Sequence, residues 1–149
     1  MTLLLASGSK TRVEILKKAK ISFEVVDHGV DEEELKVSLN ELSPKDISIQ
    51  LSEIKAIKPS MKYSEDFVIG ADQVLDFNGS LINKAPHLQE AKKQLLELNG
   101  KTHKLITAIT IAKNGSVVWK HHDVAKITMR ELNEKQIDEY LNNIDKEIL

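Results

Sequence analysis

The chain has 149 residues, enough for one domain with a sizeable core and too few to expect two. Its formal net charge is -2 with 30% charged residues, which excludes an overall positive field and so leaves nucleic acid without support as a partner. There is no cysteine, so disulfides, thiolate zinc sites and cysteine nucleophiles are excluded together.

In chain order, Leu3–Ala6 reads as a short strand that ends at Ser7-Gly8. Val13, Ile15, Leu16 and Ala19 then follow helical spacing, and the helix is expected to begin between Ser9 and Arg12. Two N-caps compete there: Ser9, and Thr11 in a Thr-x-x-Glu capping box with Glu14. Residues 23–26 read as a second strand, followed by the acidic run 31–34. Ser43-Pro44-Lys45-Asp46 supplies an N-cap, a first-position proline and a first-turn acid. Ile47, Leu51, Ile54 and Ile57 predict a helix from there to about Lys58. A third strand is expected over 67–75, with Asn78-Gly79 turning it into Leu81-Ile82. Leu88, Ala91, Leu95 and Leu98 mark a helix stopped by Asn99-Gly100. Residues 104–112 and 117–129, split by Lys113-Asn114-Gly115, should pair as a long antiparallel hairpin. Asn133 caps a last helix carrying Ile137, Tyr140, Leu141 and Ile144, after which Glu147-Ile148-Leu149 offers no closing turn. Interspersed strands and helices with two hairpins predict an α/β domain with a mixed sheet. No apolar stretch approaches the roughly 18 residues of a membrane span, and no leader pattern precedes the first strand. The cytoplasm is the expected location, with no membrane partner.

Candidate chemistry begins with LLASGSKTRVEIL. A helix N-terminus presents unpaired N–H groups and partial positive charge, and a loop of small residues lets an anion approach the backbone. Ser7, Ser9 and Thr11 add hydroxyls, and Lys10 and Arg12 add full charges, more than capping alone requires. Asp72, inside the apolar stretch FVIGADQVL, needs a cation, a metal or a wet cleft to offset its burial. A strand-end acid making a turn or a salt bridge is the slightly favoured reading from the residue alone. Beside phosphates such an acid holds Mg²⁺ or takes a proton from water. Asp31 and Glu32 offer metal-binding oxygens, although an acidic run is also the composition of a solvated face. Lys55 and Lys84 are candidate phosphate contacts as point charges. His121-His122-Asp123 reads as surface, because neighbours on a strand point to opposite faces.

ASGSKTRVEIL, FEVVDHGVDEE, IKAIK, VIGADQVLDFNGSLINKAP and LNGKTHKLITAI, in this order, resemble the Maf proteins, nucleoside triphosphate pyrophosphatases also called septum formation inhibitors. The resemblance covers essentially the whole chain. It implies an elongated mixed sheet flanked by helices, similar to the inosine triphosphate pyrophosphatases, with a cleft between two lobes. It also implies divalent-metal-dependent hydrolysis, with Mg²⁺ or Mn²⁺, of the α–β phosphate bond of standard or modified nucleoside triphosphates. By motif position Asp72 matches the family's proton acceptor, and Ser9 and Arg12 fall on its phosphate loop. Asp31 and Glu32 fall on its acidic pair, Lys55 on its helix lysine, and Lys84 on the lysine after the hairpin. Asp31, Glu32 and Asp72 are thereby the implied metal ligands. Thr11 and Gln73 stand at positions where subgroups differ in base preference. Gln73 looks like the 7-methyl-GTP subgroup, whereas Thr11 is neither that subgroup's tryptophan nor the arginine of the dTTP/UTP/CTP subgroup. Ala85 replaces the proline that usually follows the lysine. The family's glycine-rich strand segment and Gly-Leu-Pro turn do not follow the last helix, so the reading is a single Maf-like domain, C-terminally short, with an exposed sheet edge and a tendency to homodimerise. The alternatives are a nucleotide-binding or septum-regulating protein without turnover, and a phosphatase releasing a single phosphate.

Overall fold

The computed structural model describes residues 1–144, so Glu147-Ile148-Leu149 lie outside the described residues. The elements run β1 (Leu3–Ala6), α1 (Lys10–Lys18), β2 (Glu24–Val26), α2 (Glu32–Ser38), α3 (Pro44–Lys62), β3 (Phe67–Phe77), β4 (Ser80–Ile82), α4 (Leu88–Leu98), β5 (Thr102–Lys113), β6 (Ser116–Thr128) and α5 (Glu134–Asn143). They form one mixed sheet ordered β2-β1-β3-β5-β6, with β4 paired to the far end of β3. β1 is parallel to both β2 and β3, whereas β5 runs antiparallel to its two neighbours, β3 and β6. Asn78-Gly79 and Asn114-Gly115 both carry positive φ at their two central positions, the geometry that lets a two-residue turn follow the twist of its strands.

The structure departs from the expected elements in three places. The acidic run, to which the sequence pattern assigns no element, opens a helix: Asp31 Oδ1 accepts from Glu34 N at 3.1 Å, and Glu32, Glu33 and Glu34 fill the positive first turn of α2. At seven residues α2 is too short to show an apolar period. The second departure is that α3 continues to Lys62, through Pro59. The proline removes one helical donor, but the turn is anchored by Ser60. Its hydroxyl donates to Ile57 O at 2.7 Å and accepts from Gly115 N at 2.9 Å, tying the helix to the β5–β6 turn. The third is at α5, which ends at Asn143, leaving Ile144 as its C-cap.

The packing of α3 on β3 positions everything that follows. The helix buries a stripe of small residues spaced by four, Ser48, Ser52, Ala56 and Ser60. It comes so close that a Cβ on Gly70 would lie 2.5 Å from Ala56 N and Ser52 O. Ser52 and Thr110 hydroxyls hydrogen-bond across this seam at 2.9 Å. Leu51 and Val68 have no exposed surface, so the contact is dry as well as close. A separate apolar cluster joins α4 to α5 through Ala91, Ile137 and Leu141, with Ala85 against it. In contrast, β6 is the sheet's edge and is exposed along nearly its whole length.

Candidate active site

β1 delivers the chain to the loop 7–9, and Ser9 caps α1 by accepting from Arg12 N at 3.3 Å. Of the two competing caps, therefore, Ser9 is the one used and Thr11 lies inside the helix. Ser7 is buried. Its Oγ accepts from Ser9 N at 3.2 Å and from Arg12 Nη1 at 3.0 Å, which curls the guanidinium back over the helix N-terminus. Backbone donors, two hydroxyls and one fixed cation are thus gathered at a single helix end, an arrangement suited to phosphate.

The second half of the site comes from the α3–β3 seam. Gly70 lets the helix approach, and two residues along the same strand face Asp72 meets Lys55. The Nζ–Oδ1 distance is 3.0 Å, and only 3% of Lys55 and 4% of Asp72 is exposed. Lys55 Nζ also lies 2.6 Å from Glu32 Oε1, so one ammonium bridges a carboxylate from the sheet and one from α2. Asp72 Oδ2 is buried with no hydrogen-bond partner among the described residues. Burial raises the Asp72 pKa above the ordinary carboxylate value, and the charge and hydrogen bond of Lys55 oppose without cancelling that effect. Glu32 goes the other way: burial pushes its pKa up, but the hydrogen bond and charge of Lys55, with Lys36 and His28 adding, hold it below the ordinary value. The two acids are therefore shifted in opposite directions, Asp72 up and Glu32 down.

A cleft of about 880 Å³ connects these groups, and its lining includes Ser9, Arg12, Glu32, Lys55, Asp72, Gln73 and Lys84. Thr11 and Asp31 are outside that lining, Asp31 being engaged as the cap of α2. Gln73 Oε1 accepts from the hydroxyl of Thr107, its cross-strand partner, at 3.0 Å. The lining also includes the apolar side chains Leu81, Ile82, Leu95 and Leu105. The cleft thus combines groups suited to a polyanion with apolar surface suited to a flat, weakly polar body. Of the three acids implied as metal ligands, Glu32 and Asp72 are near one another. Two carboxylates plus the oxygens of a bound phosphate chain make the hard, oxygen-only donor set that Mg²⁺ or Mn²⁺ takes, and the buried, unpartnered Oδ2 of Asp72 fits that use. Among the described residues there is no cluster of three or more His, Asp or Glu that would hold a metal without such help.

Among the polar lining residues that reading the sequence alone misses are His28, Lys36 and Asn83. His28 Nδ1 accepts from Val30 N at 2.9 Å, leaving its Nε2 3.6 Å from Glu32. The four-residue interval from Glu32 to Lys36 is the available signal for Lys36, informative only once 32–38 is known to be helical, whereas His28 lies before the helix and carries no such mark. His121 and His122 are exposed on β6, as expected of surface residues.

The comparisons with known proteins agree with this geometry. The profile of the Maf-like protein family matches residues 2–147. A nucleoside triphosphate pyrophosphatase of Caulobacter vibrioides is 43% identical over 147 residues, 97% of this chain and 73% of that protein. A 7-methyl-GTP pyrophosphatase of Bartonella henselae is 36% identical over 148 residues, 99% of this chain and 75% of that protein. Among solved structures, a HAM1 protein from Coxiella burnetii superimposes with a TM-score of 0.50 at 15% identity, covering 85% of this chain and 71% of that one, a likeness of fold alone. No helix among the described residues is long and apolar enough to cross a membrane. The family profile spans nearly the whole chain and relatives at 36–43% identity cover almost all of it, so the chain belongs to the Maf-like protein family.

Proposed function

We propose that the chain is a cytoplasmic, divalent-metal-dependent nucleoside triphosphate pyrophosphatase, hydrolysing the α–β phosphate bond to release a nucleoside monophosphate and pyrophosphate. The observation that carries the reading is Asp72: a buried carboxylate of raised pKa, with one oxygen on Lys55 and the other without a partner among the described residues, lining the same cleft as a phosphate-suited helix N-terminus. The names of the relatives supply the substrate class.

In this mechanism the loop 7–9, the α1 N-terminus and Arg12 hold the triphosphate, while Lys55 and Lys84 stabilise charge on the leaving pyrophosphate. Asp72 Oδ2 orients a water and accepts its proton as the oxygen attacks the α-phosphorus, and the bond to the bridging oxygen breaks. Glu32 and Asp72 are the residues that would hold a divalent ion, whose part is to neutralise phosphate oxygens and polarise the phosphorus. Lys55 keeps the two carboxylates together when no other cation does. Gln73, its acceptor occupied by Thr107, lines the cleft with its amide N–H₂ left to donate and is the proposed selector of the base. The single continuous sheet supports one domain, and the exposed edge strand supports homodimerisation.

The deciding experiment measures pyrophosphate release from dTTP, UTP, CTP, GTP and 7-methyl-GTP with Mg²⁺ or Mn²⁺. Hydrolysis that requires the metal and falls at least about 100-fold in Asp72→Asn is the expected result. Release of orthophosphate would make the chain a phosphatase, and tight binding without release would make it a nucleotide-dependent regulator.

A further inference from the structure

Helix α2 brings a cation to the cleft that none of the motifs marks. Lys36 stands one turn after Glu32 and lines the same cleft. Its Nζ donates to Asn83 Oδ1 at 3.3 Å, a contact that crosses from α2 to the residue just before Lys84. Asn83 is itself braced, because its backbone oxygen accepts from Gln94 Nε2 at 2.7 Å. On a helix, a lysine is usually neutralised by an acid one turn before it. Here that acid is Glu32, and its carboxylate is committed to Lys55 at 2.6 Å. The Lys36 ammonium is left on a long, uncharged amide contact, which a phosphate oxygen would readily replace. Its charge already reaches both acids of the site, opposing burial at Asp72 and adding to Lys55 at Glu32.

We propose that Lys36 is a fourth phosphate-contacting cation of this cleft, carried on α2 and parked against Asn83 at the cleft mouth until a triphosphate takes it. The charge count supports it. Arg12, Lys36, Lys55 and Lys84 against Glu32 and Asp72 leave a net charge of +2, and removing Lys36 would halve it, although a metal-bound triphosphate remains anionic.

This inference rests on the reading of the cleft as a triphosphate site, and the test separates the two. Isothermal titration with the non-hydrolysable α,β-methylene analogues of UTP, dTTP, CTP and GTP in Mg²⁺ compares the wild type with Lys36→Met and Lys36→Arg, and the corresponding nucleoside monophosphates serve as controls. The expected result is a loss of about tenfold in triphosphate affinity for Lys36→Met, recovery to within about threefold in Lys36→Arg, and unchanged monophosphate binding. Equal triphosphate affinity in wild type and Lys36→Met overturns the role of Lys36 while leaving the cleft reading intact. An equal loss for triphosphate and monophosphate also overturns it, because it marks a distorted helix and not a lost phosphate contact. A wild type that binds none of the analogues overturns both.

Discussion

At the scale of single residues, the site turns on one ammonium between two acids. Lys55 donates to Asp72 and touches Glu32, and its presence limits how far burial raises the Asp72 pKa. An acid that serves as a base works only when ionised, so the acid limb of the pH–rate profile follows Asp72. Removing Lys55 takes away the charge and hydrogen bond that oppose burial, so the Asp72 pKa must rise further. Lys55→Met is therefore expected to shift the acid limb of kcat/KM to higher pH, besides lowering the plateau by about 100-fold through lost phosphate stabilisation. A profile with the plateau reduced but the limb unmoved would mean that Asp72 is not the group that titrates. The residues that carry this argument were partly legible in the sequence. Asp72 declared itself as a charge in an apolar strand, and Lys55 through its motif. The pairing of Lys55 with Glu32 did not, since it depends on where an unrecognised helix sits.

At the scale of elements, the informative contact is the one between α3 and β3. The period of Ile47, Leu51, Ile54 and Ile57 located α3, and Ile47 and Leu51 are buried while Ile54 and Ile57 are only partly so, but the period does not mark the residues that touch β3 most closely. Large apolar residues dominate any hydrophobic pattern, yet a backbone that must nearly touch its neighbour uses small ones, and Ser48, Ser52, Ala56 and Ser60 are invisible to such a pattern. Pro59 misled for a similar reason: it signals a helix end, and the cost of the missing donor is offset here by burial and by the Ser60 bonds. The small stripe makes a sharp prediction. Gly70→Ala sets a methyl 2.5 Å from helix backbone atoms that cannot move alone, so α3 has to shift away from β3. A loss of about 3 kcal/mol, seen as a melting temperature lower by about 10 °C, is expected. Activity should fall by more than stability explains, because the same shift draws Lys55 off Asp72. Gly8→Ala is the control: nothing lies within 4 Å of the added methyl, and melting within about 2 °C of wild type is expected. Calorimetry of the two variants side by side decides whether the crowding at Gly70 is real.

At the scale of the whole molecule, the strand order was legible as far as hairpins could show it: Asn78-Gly79 and Asn114-Gly115 fixed two antiparallel pairs. The insertion of β1 between β2 and β3 was not legible from local patterns, because parallel neighbours are joined through crossovers that leave no sequence mark. What the assembled sheet adds is an edge. β6 offers 13 residues of strand with Val118, Trp119 and Val124 at least two-fifths exposed, and an unpaired row of backbone donors and acceptors beside them. A two-fold pairing of this strand with a second copy has a preferred register, set by the side chains that come to face one another. Centred on His122 it places His121 opposite Asp123, Lys120 opposite Val124 and Lys126 opposite Val118, with no like charges in contact. Centred one residue later, it would set Asp123 against Asp123 and Lys120 against Lys126. The His122 register is therefore the expected one. Sedimentation equilibrium should show a mass that rises with concentration for the wild type and stays at that of one chain for Val118→Lys, which in this register faces Lys126. Val118→Glu, which faces the same Lys126 with opposite charge, should restore association, and failure of the Glu variant to outperform the Lys variant would show that the copies meet in another register or by another surface.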